Sequence, residues 1–146
     1  MIYVHLLNKS GLPEPEFAKA GDAGMDVRIS EDRRIPPGGT ELLPTGLFMG
    51  IPSGYEIQVR PRSGMSYKTK MRIANSPGTI DSNYKGELMI IADNIGTDDI
   101  LFHRGDRVAQ ITLEEKPRWK FIQVFTEEQL GSSNRGSDGF GSTGIN

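Results

Sequence analysis

The chain has 146 residues, 36% hydrophobic and 25% charged, which fits one globular domain with a real core and leaves too little for two. A net charge of −2 excludes broad contact with a nucleic-acid backbone, and with 0 Cys and 2 His (His5 and His103, far apart) there is no disulfide framework, thiolate nucleophile or cysteine-bound zinc, and little supply for a Ser/His/Asp triad. No apolar run approaches the roughly 18 residues of a membrane helix, and the opening MIYVHLL lacks the basic region and length of a signal peptide, so the expected compartment is the cytoplasm.

The 18 Gly and 9 Pro mark many turns and favour strands over helices. In chain order, IYVHLL reads as an opening strand. AGDAGMDVRI places two glycines before Met25 and Asp26 at a strand entrance, where Asp26 can start the strand, hold an arginine or bind a metal's water shell. TELLPTGLFMGI lies between PPGG and IPSG. In YEIQVR, Tyr55, Ile57 and Val59 alternate with Glu56, Gln58 and Arg60, giving one buried and one wet face. VRPRSGMSYK then offers Arg62, Ser63 and Gly64 at a strand end. A planar fork, a hydroxyl and free amides all donate, so they suit phosphate oxygens as well as a solvated strand end.

A helical turn is expected over Ser63 to Lys68. MRIAN and the NSPG turn, with Asn75, lead into GTIDSNYKGELMII, a hairpin in which one strand ends at Ile80 and an apolar strand leaves from Glu87. Asp81 is an ordinary turn former there. Tyr84 is less ordinary at a hairpin tip: its ring either folds back on its own sheet or walls something flat. RVAQITLEE carries Gln110 within an apolar run, where it must find a partner or cost roughly 1–3 kcal/mol. WKFIQVF reads as a last strand and Thr126 to Leu130 as a second helical turn. Many short strands between turn signals imply an antiparallel sandwich, jelly roll or barrel.

Composition shifts at Gly131, which divides a β-rich domain over 1–130 from a Gly/Ser-rich arm over 131–146, expected to be mobile when nothing is bound. Its GSDGFGST is close to a phosphate-binding P-loop but has Ser142 in the lysine position and no helix after it. What remains is a glycine-rich backbone able to wrap an anion, with Arg135 adding charge and Phe140 able to stack on a flat ring. Such an arm suits a lid. Any metal would be hard and oxygen-bound, such as Mg²⁺ held largely by a substrate's phosphates.

Taken together, AGDAGMD, PRSG, NSPGTIDSNYKGE, RGDRVAQ and RGSDGFGSTG resemble, in this order, the five motifs of the homotrimeric dUTPases. The resemblance runs from about Ala20 to the C-terminus. It implies an all-β, jelly-roll-like barrel (a β-clip) with a flexible C-terminal arm, assembled as a homotrimer whose three sites each draw on three chains. It implies hydrolysis of dUTP, as its Mg²⁺ complex, to dUMP and pyrophosphate, limiting uracil incorporation into DNA and supplying dUMP for dTMP synthesis.

Carried over by residue, Asp81 is similar to the carboxylate that orients and activates water, and Tyr84 to the wall that excludes a 2′-hydroxyl. Asn75 would read the uracil edge. Arg62, Ser63, Gly64 and Gln110 match phosphate-binding positions, and Asp26 the acid that supports the metal and phosphate region. In the arm, Arg135, Gly141, Ser142 and Thr143 would surround the γ-phosphate while Phe140 stacks on uracil. Departures are small: Met25 stands where the family usually has Leu or an aromatic, and Thr69-Lys70 replaces a common His-Gly pair. A dCTP deaminase on a related fold would need a catalytic Glu and another hairpin sequence. A non-enzymatic binding protein of the same fold would not need every chemical position filled.

Overall fold

The computed structural model describes residues 1–134, 136 and 137. Ten strands dominate, in two four-stranded antiparallel sheets and one two-stranded ribbon. The first sheet has the order β1 (His5–Asn8), β4 (Thr40–Gly50), β8 (Glu87–Asn94), β6 (Met71–Ile73). The second has β2 (Met25–Arg28), β10 (Arg107–Glu115), β5 (Tyr55–Arg60), β7 (Gly78–Asp81). The ribbon pairs β3 (Arg33–Ile35) with β9 (Ile100–Phe102). This is the all-β architecture that the alternating runs predict, of the jelly-roll-like kind that the resemblance implies. No helix among the described residues is long and apolar enough to cross a membrane.

The core arises from alternation, strict along β8. In β8, Leu88, Ile90, Ala92 and Asn94 point inward, and from the other sheet Val27, Ile57, Val59 and Ile111 complete the same cluster. Asn94 is polar yet only 1% exposed. Its amide donates to the Ile35 carbonyl at 3.0 Å and the Asp98 carbonyl at 2.7 Å, and its oxygen accepts from the Gly96 N–H at 2.9 Å, so burial leaves nothing unpaired.

A bulge between Pro44 and Phe48 in β4 ties this sheet to the hairpin after β7. Gly46 sits there at φ +69°, a left-handed conformation that a side chain would strain. Its freed N–H donates to Glu87 Oε1 at 2.7 Å, clamping the start of β8 where the chain leaves the loop.

Both expected helical turns form, α1 over Ser63–Lys68 and a 3₁₀ turn over Glu127–Leu130. One expected strand does not. WKFIQVF has no sheet partners among the described residues, and Trp119, Phe121, Ile122 and Phe125 are 70–86% exposed. Its β character is local, whereas a strand exists only if a neighbour supplies the ladder. In the other direction, β3 and β9, three residues each, are not among the expected strands. RRI and ILF are too short for alternation to register.

Candidate active site

The side of the second sheet that faces away from the core is polar. Register pairs Gln110 with both Asp26 and Arg60, and Glu56 with both Glu114 and Asp81. Residues directly opposite in an antiparallel ladder share a face, so this side carries two distinct corners joined by β5.

At the first corner, Asp26 holds two arginines. Arg62 Nε donates to Asp26 Oδ1 at 2.8 Å and Arg107 Nη1 to Oδ2 at 3.3 Å, while Arg62 Nη1 reaches the Arg107 carbonyl at 3.1 Å. The carboxylate fixes where both guanidinium groups point and offsets part of their mutual repulsion. Gln110 Nε2 donates to the Pro61 carbonyl at 2.8 Å, bracing the exit of β5 just before Arg62. Gly24 makes this possible. A Cβ on residue 24 would lie 2.7 Å from Gln110 Oε1. Arg62 caps α1 without a side-chain hydrogen bond, so the first-turn amides at Ser63 and Gly64, both exposed, are donors at a helix start. A polar cleft of about 400 Å³, bounded by Gly24, Asp26, Arg28, Arg107 and Gln110, and a mixed one of about 530 Å³, bounded by Arg28, Arg62, Met65, Phe102 and Arg107, flank the cluster.

Arg107 is not among the expected site residues, although the RGDRVAQ segment contains it. By simple alternation it would face away from Gln110, three positions on. A register shift between Arg107 and Ala109 inserts one extra residue and turns Arg107 onto the face of Asp26 and Gln110. Nothing in the local sequence announces that bulge.

At the second corner, Asp81 ends β7 and is exposed. The loop after it folds back on itself. The Tyr84 N–H donates to the Asp81 carbonyl at 3.1 Å and the Tyr84 hydroxyl to the Glu87 carbonyl at 2.8 Å. Asn75 is exposed in the turn before β7, its side-chain nitrogen close above Gly78. Beside Asp81 on the next strand, Glu56 is only 4% exposed. Gln58 Nε2 donates to Glu56 Oε1 at 2.8 Å, and Lys116 Nζ stands 3.1 Å from Oε2 as a charge pair without hydrogen-bond geometry. The Gln58 amide first, and then Lys116, hold the Glu56 carboxyl below its ordinary range against the opposing effect of burial.

The two corners do not meet within one chain. Asp81 and Asp26 lie three strands apart laterally and four residues apart along β5, which strand spacing and rise convert to roughly 20 Å. Asp26, Arg62, Ser63, Gly64 and Gln110 therefore lie at one corner and Asp81 and Tyr84 at the other, as two separate halves, with Asn75 in the turn at the opposite end of β7 from Asp81. Arg135, Phe140, Gly141, Ser142 and Thr143 lie outside the described residues.

Among the described residues no group of three or more His, Cys, Asp or Glu gathers to hold a metal. Asp26 already serves two arginines, so this donor set suits an ion carried on phosphate oxygens rather than one caged by protein. A further groove, of about 510 Å³, is lined by apolar residues such as Tyr3, Leu6, Phe17, Met25 and Ile111. It lacks the convergent donors that phosphate chemistry requires.

The dUTPase family model matches residues 12–144. The chain is 43% identical over 138 residues to the deoxyuridine 5'-triphosphate nucleotidohydrolase of Caulobacter vibrioides, covering 92% of this chain and 87% of that one. Against the protein of the same name from Chlamydia felis it is 46% identical over 138 residues, 93% and 94% covered. The fold is similar to a Staphylococcus bacteriophage 80alpha dUTPase mutant with dUpNHpp (TM-score 0.86, 26% identity, 98% of this chain and 99% of that chain). It is also similar to a mutant dUTPase from phage phi11 of S. aureus, described with a structural Mg(II) ion (TM-score 0.76, 25% identity, 88% and 99%).

Proposed function

The chain belongs to the dUTPase family, and from that membership we propose how its own residues carry the family's hydrolysis of dUTP to dUMP. It is a dUTP diphosphatase. The observation that carries the residue-level reading is the gathering of Asp26, Arg62, Arg107 and Gln110 at one sheet corner, set against an exposed Asp81 on a braced hairpin at the other.

In the reading we favour, Asp81 accepts a hydrogen bond from a water molecule, aligns it with the α-phosphorus and takes its proton as the new P–O bond forms. The bond to the bridging oxygen breaks and pyrophosphate leaves. Arg62, the Ser63 hydroxyl and the amides at Ser63 and Gly64 neutralise the phosphate chain, and Asp26 keeps Arg62 aimed. Gln110 braces the backbone behind them. Mg²⁺, when bound through the substrate's phosphates, supplies further charge neutralisation. Tyr84 walls the deoxyribose and Asn75 reads the uracil edge. Arg135, Phe140, Gly141, Ser142 and Thr143 contribute the anion grip and the aromatic cap, which makes 131–146 an arm distinct from the domain over 1–130.

Separation of the two halves supports a site shared between copies, and we propose a homotrimer with three equivalent sites. The exposed apolar run from Trp119 to Phe125 supports the same reading, since a lone chain would leave it in water. The cytoplasm, where deoxynucleotides are processed, is the proposed compartment. A nucleotide panel tests the whole reading. With Mg²⁺ present, pyrophosphate release should be fast with dUTP and negligible with UTP, dTTP and dCTP, and it should collapse when the metal is chelated. Equal rates on all four nucleotides would contradict the assigned pocket, and ammonia release from dCTP would replace the reaction.

A further inference from the structure

The loop between β7 and β8 ties its aromatic ring back onto its own chain. The Tyr84 hydroxyl is tied to the Glu87 carbonyl, its backbone to Asp81, and the Glu87 carboxylate to the Gly46 N–H in the β4 bulge. Beneath the ring lies Gly86. A Cβ on residue 86 would stand 2.5 Å from Tyr84 Oη, 2.7 Å from Cζ and 3.0 Å from Cε2, the first two closer than a real Cβ tolerates. Gly86 is not among the positive-φ glycines, so the backbone there does not require glycine. The ring does. Because the conflict falls on the far end of a side chain and not on backbone, a methyl group at 86 would be accommodated by moving Tyr84, with the hairpin left folded.

We infer that Gly86 is a specificity-determining position: the absence of its side chain sets the height at which Tyr84 meets the sugar, and any larger residue displaces that wall and admits a ribonucleotide. The inference rests on the reading of Tyr84 as the sugar wall. Gly86 is a positioning residue that acts through Tyr84, so its effect belongs to the choice between dUTP and UTP rather than to the attack on phosphorus. A site that excludes a hydroxyl by shape depends on where the wall stands, and a small shift there costs discrimination before it costs rate.

The test compares kcat/KM for dUTP and UTP in the full-length wild type, Gly86→Ala, Tyr84→Ala and the double variant, each with its thermal unfolding midpoint. Gly86→Ala should lower the dUTP/UTP preference by about tenfold or more while keeping the wild-type midpoint. The double variant should match Tyr84→Ala in preference and midpoint, because two residues acting through one contact are not additive. If Tyr84→Ala relaxes the preference and Gly86→Ala does not, the role of Gly86 is overturned and the sugar wall stands. If neither variant relaxes it, the sugar wall itself fails and the inference with it. A double variant less stable than Tyr84→Ala would show that residue 86 needs glycine for its backbone, which also overturns the proposal.

Discussion

Asp81 is exposed and its carboxylate takes part in no hydrogen bond among the described residues, so its replacement separates chemistry from folding. Asp81→Asn should lower kcat by about 10²–10⁴-fold, the usual worth of a positioned base, with an unchanged unfolding midpoint. Asp26 behaves differently because it is structural to the arginines. Asp26→Asn keeps the shape but loses the charge that aims Arg62, so kcat/KM for dUTP should fall and the binding of pyrophosphate, read by calorimetry, should weaken with it. Glu56 yields a pH prediction. Its folded value lies below the 4.5 of an unconstrained glutamate, so its contribution to stability is complete above that pH and lost as pH falls through the lower folded value. Acid unfolding followed by circular dichroism should show that loss in wild type and a weaker pH dependence in Glu56→Gln. Residues with chemical side chains are legible because their types and order stand in short segments. Arg107 and Gly86 are not, since one depends on a bulge and the other on an atom that glycine lacks.

Elements are readable where alternation runs long enough to fix a face. In β5, Ile57 and Val59 are buried and Tyr55 packs against the core as the alternation predicts, whereas Glu56, expected on the wet face, is buried beside Gln58 and Lys116. Ile90, fully buried at the centre of β8, should cost about 2–5 kcal/mol of stability on replacement by Ala, measured by urea unfolding. A value near zero would mean that β8 is not the central core strand described here. Short elements escape: Arg33–Ile35 and Ile100–Phe102 offer three residues each, and their pairing is a long-range event that no local pattern announces. The run from Trp119 to Phe125 fails for the opposite reason. Its sequence carries the pattern of a strand, and no partner pairs with it among the described residues.

At the scale of the whole molecule, the exposed run and the divided site are the two observations behind the proposed assembly. Trp119 is the one tryptophan of the chain, which turns its fluorescence into a direct report. Emission should shift to the blue in the assembled protein and return to that of water-exposed indole on dissociation by dilution or mild denaturant. Unchanged emission through a dissociation confirmed by sedimentation would leave that run outside the interface. The family, the type of fold and a site shared among chains can be read from five short segments as what their resemblance implies, whereas the partition into two corners about 20 Å apart within one chain comes from strand register, which no segment announces.

That partition is tested most directly by complementation between two inactive chains. Asp81→Ala and Arg62→Ala proteins, each nearly inactive alone, are mixed, exchanged under mild denaturant and assayed for pyrophosphate release from dUTP. If a site takes Asp81 from one chain and Arg62 from another, random assembly of a 1:1 mixture should restore about a quarter of wild-type activity. If no activity returns after subunit exchange has been verified by the mass of mixed assemblies, Asp81 and Arg62 do not meet between chains, and the shared site is wrong.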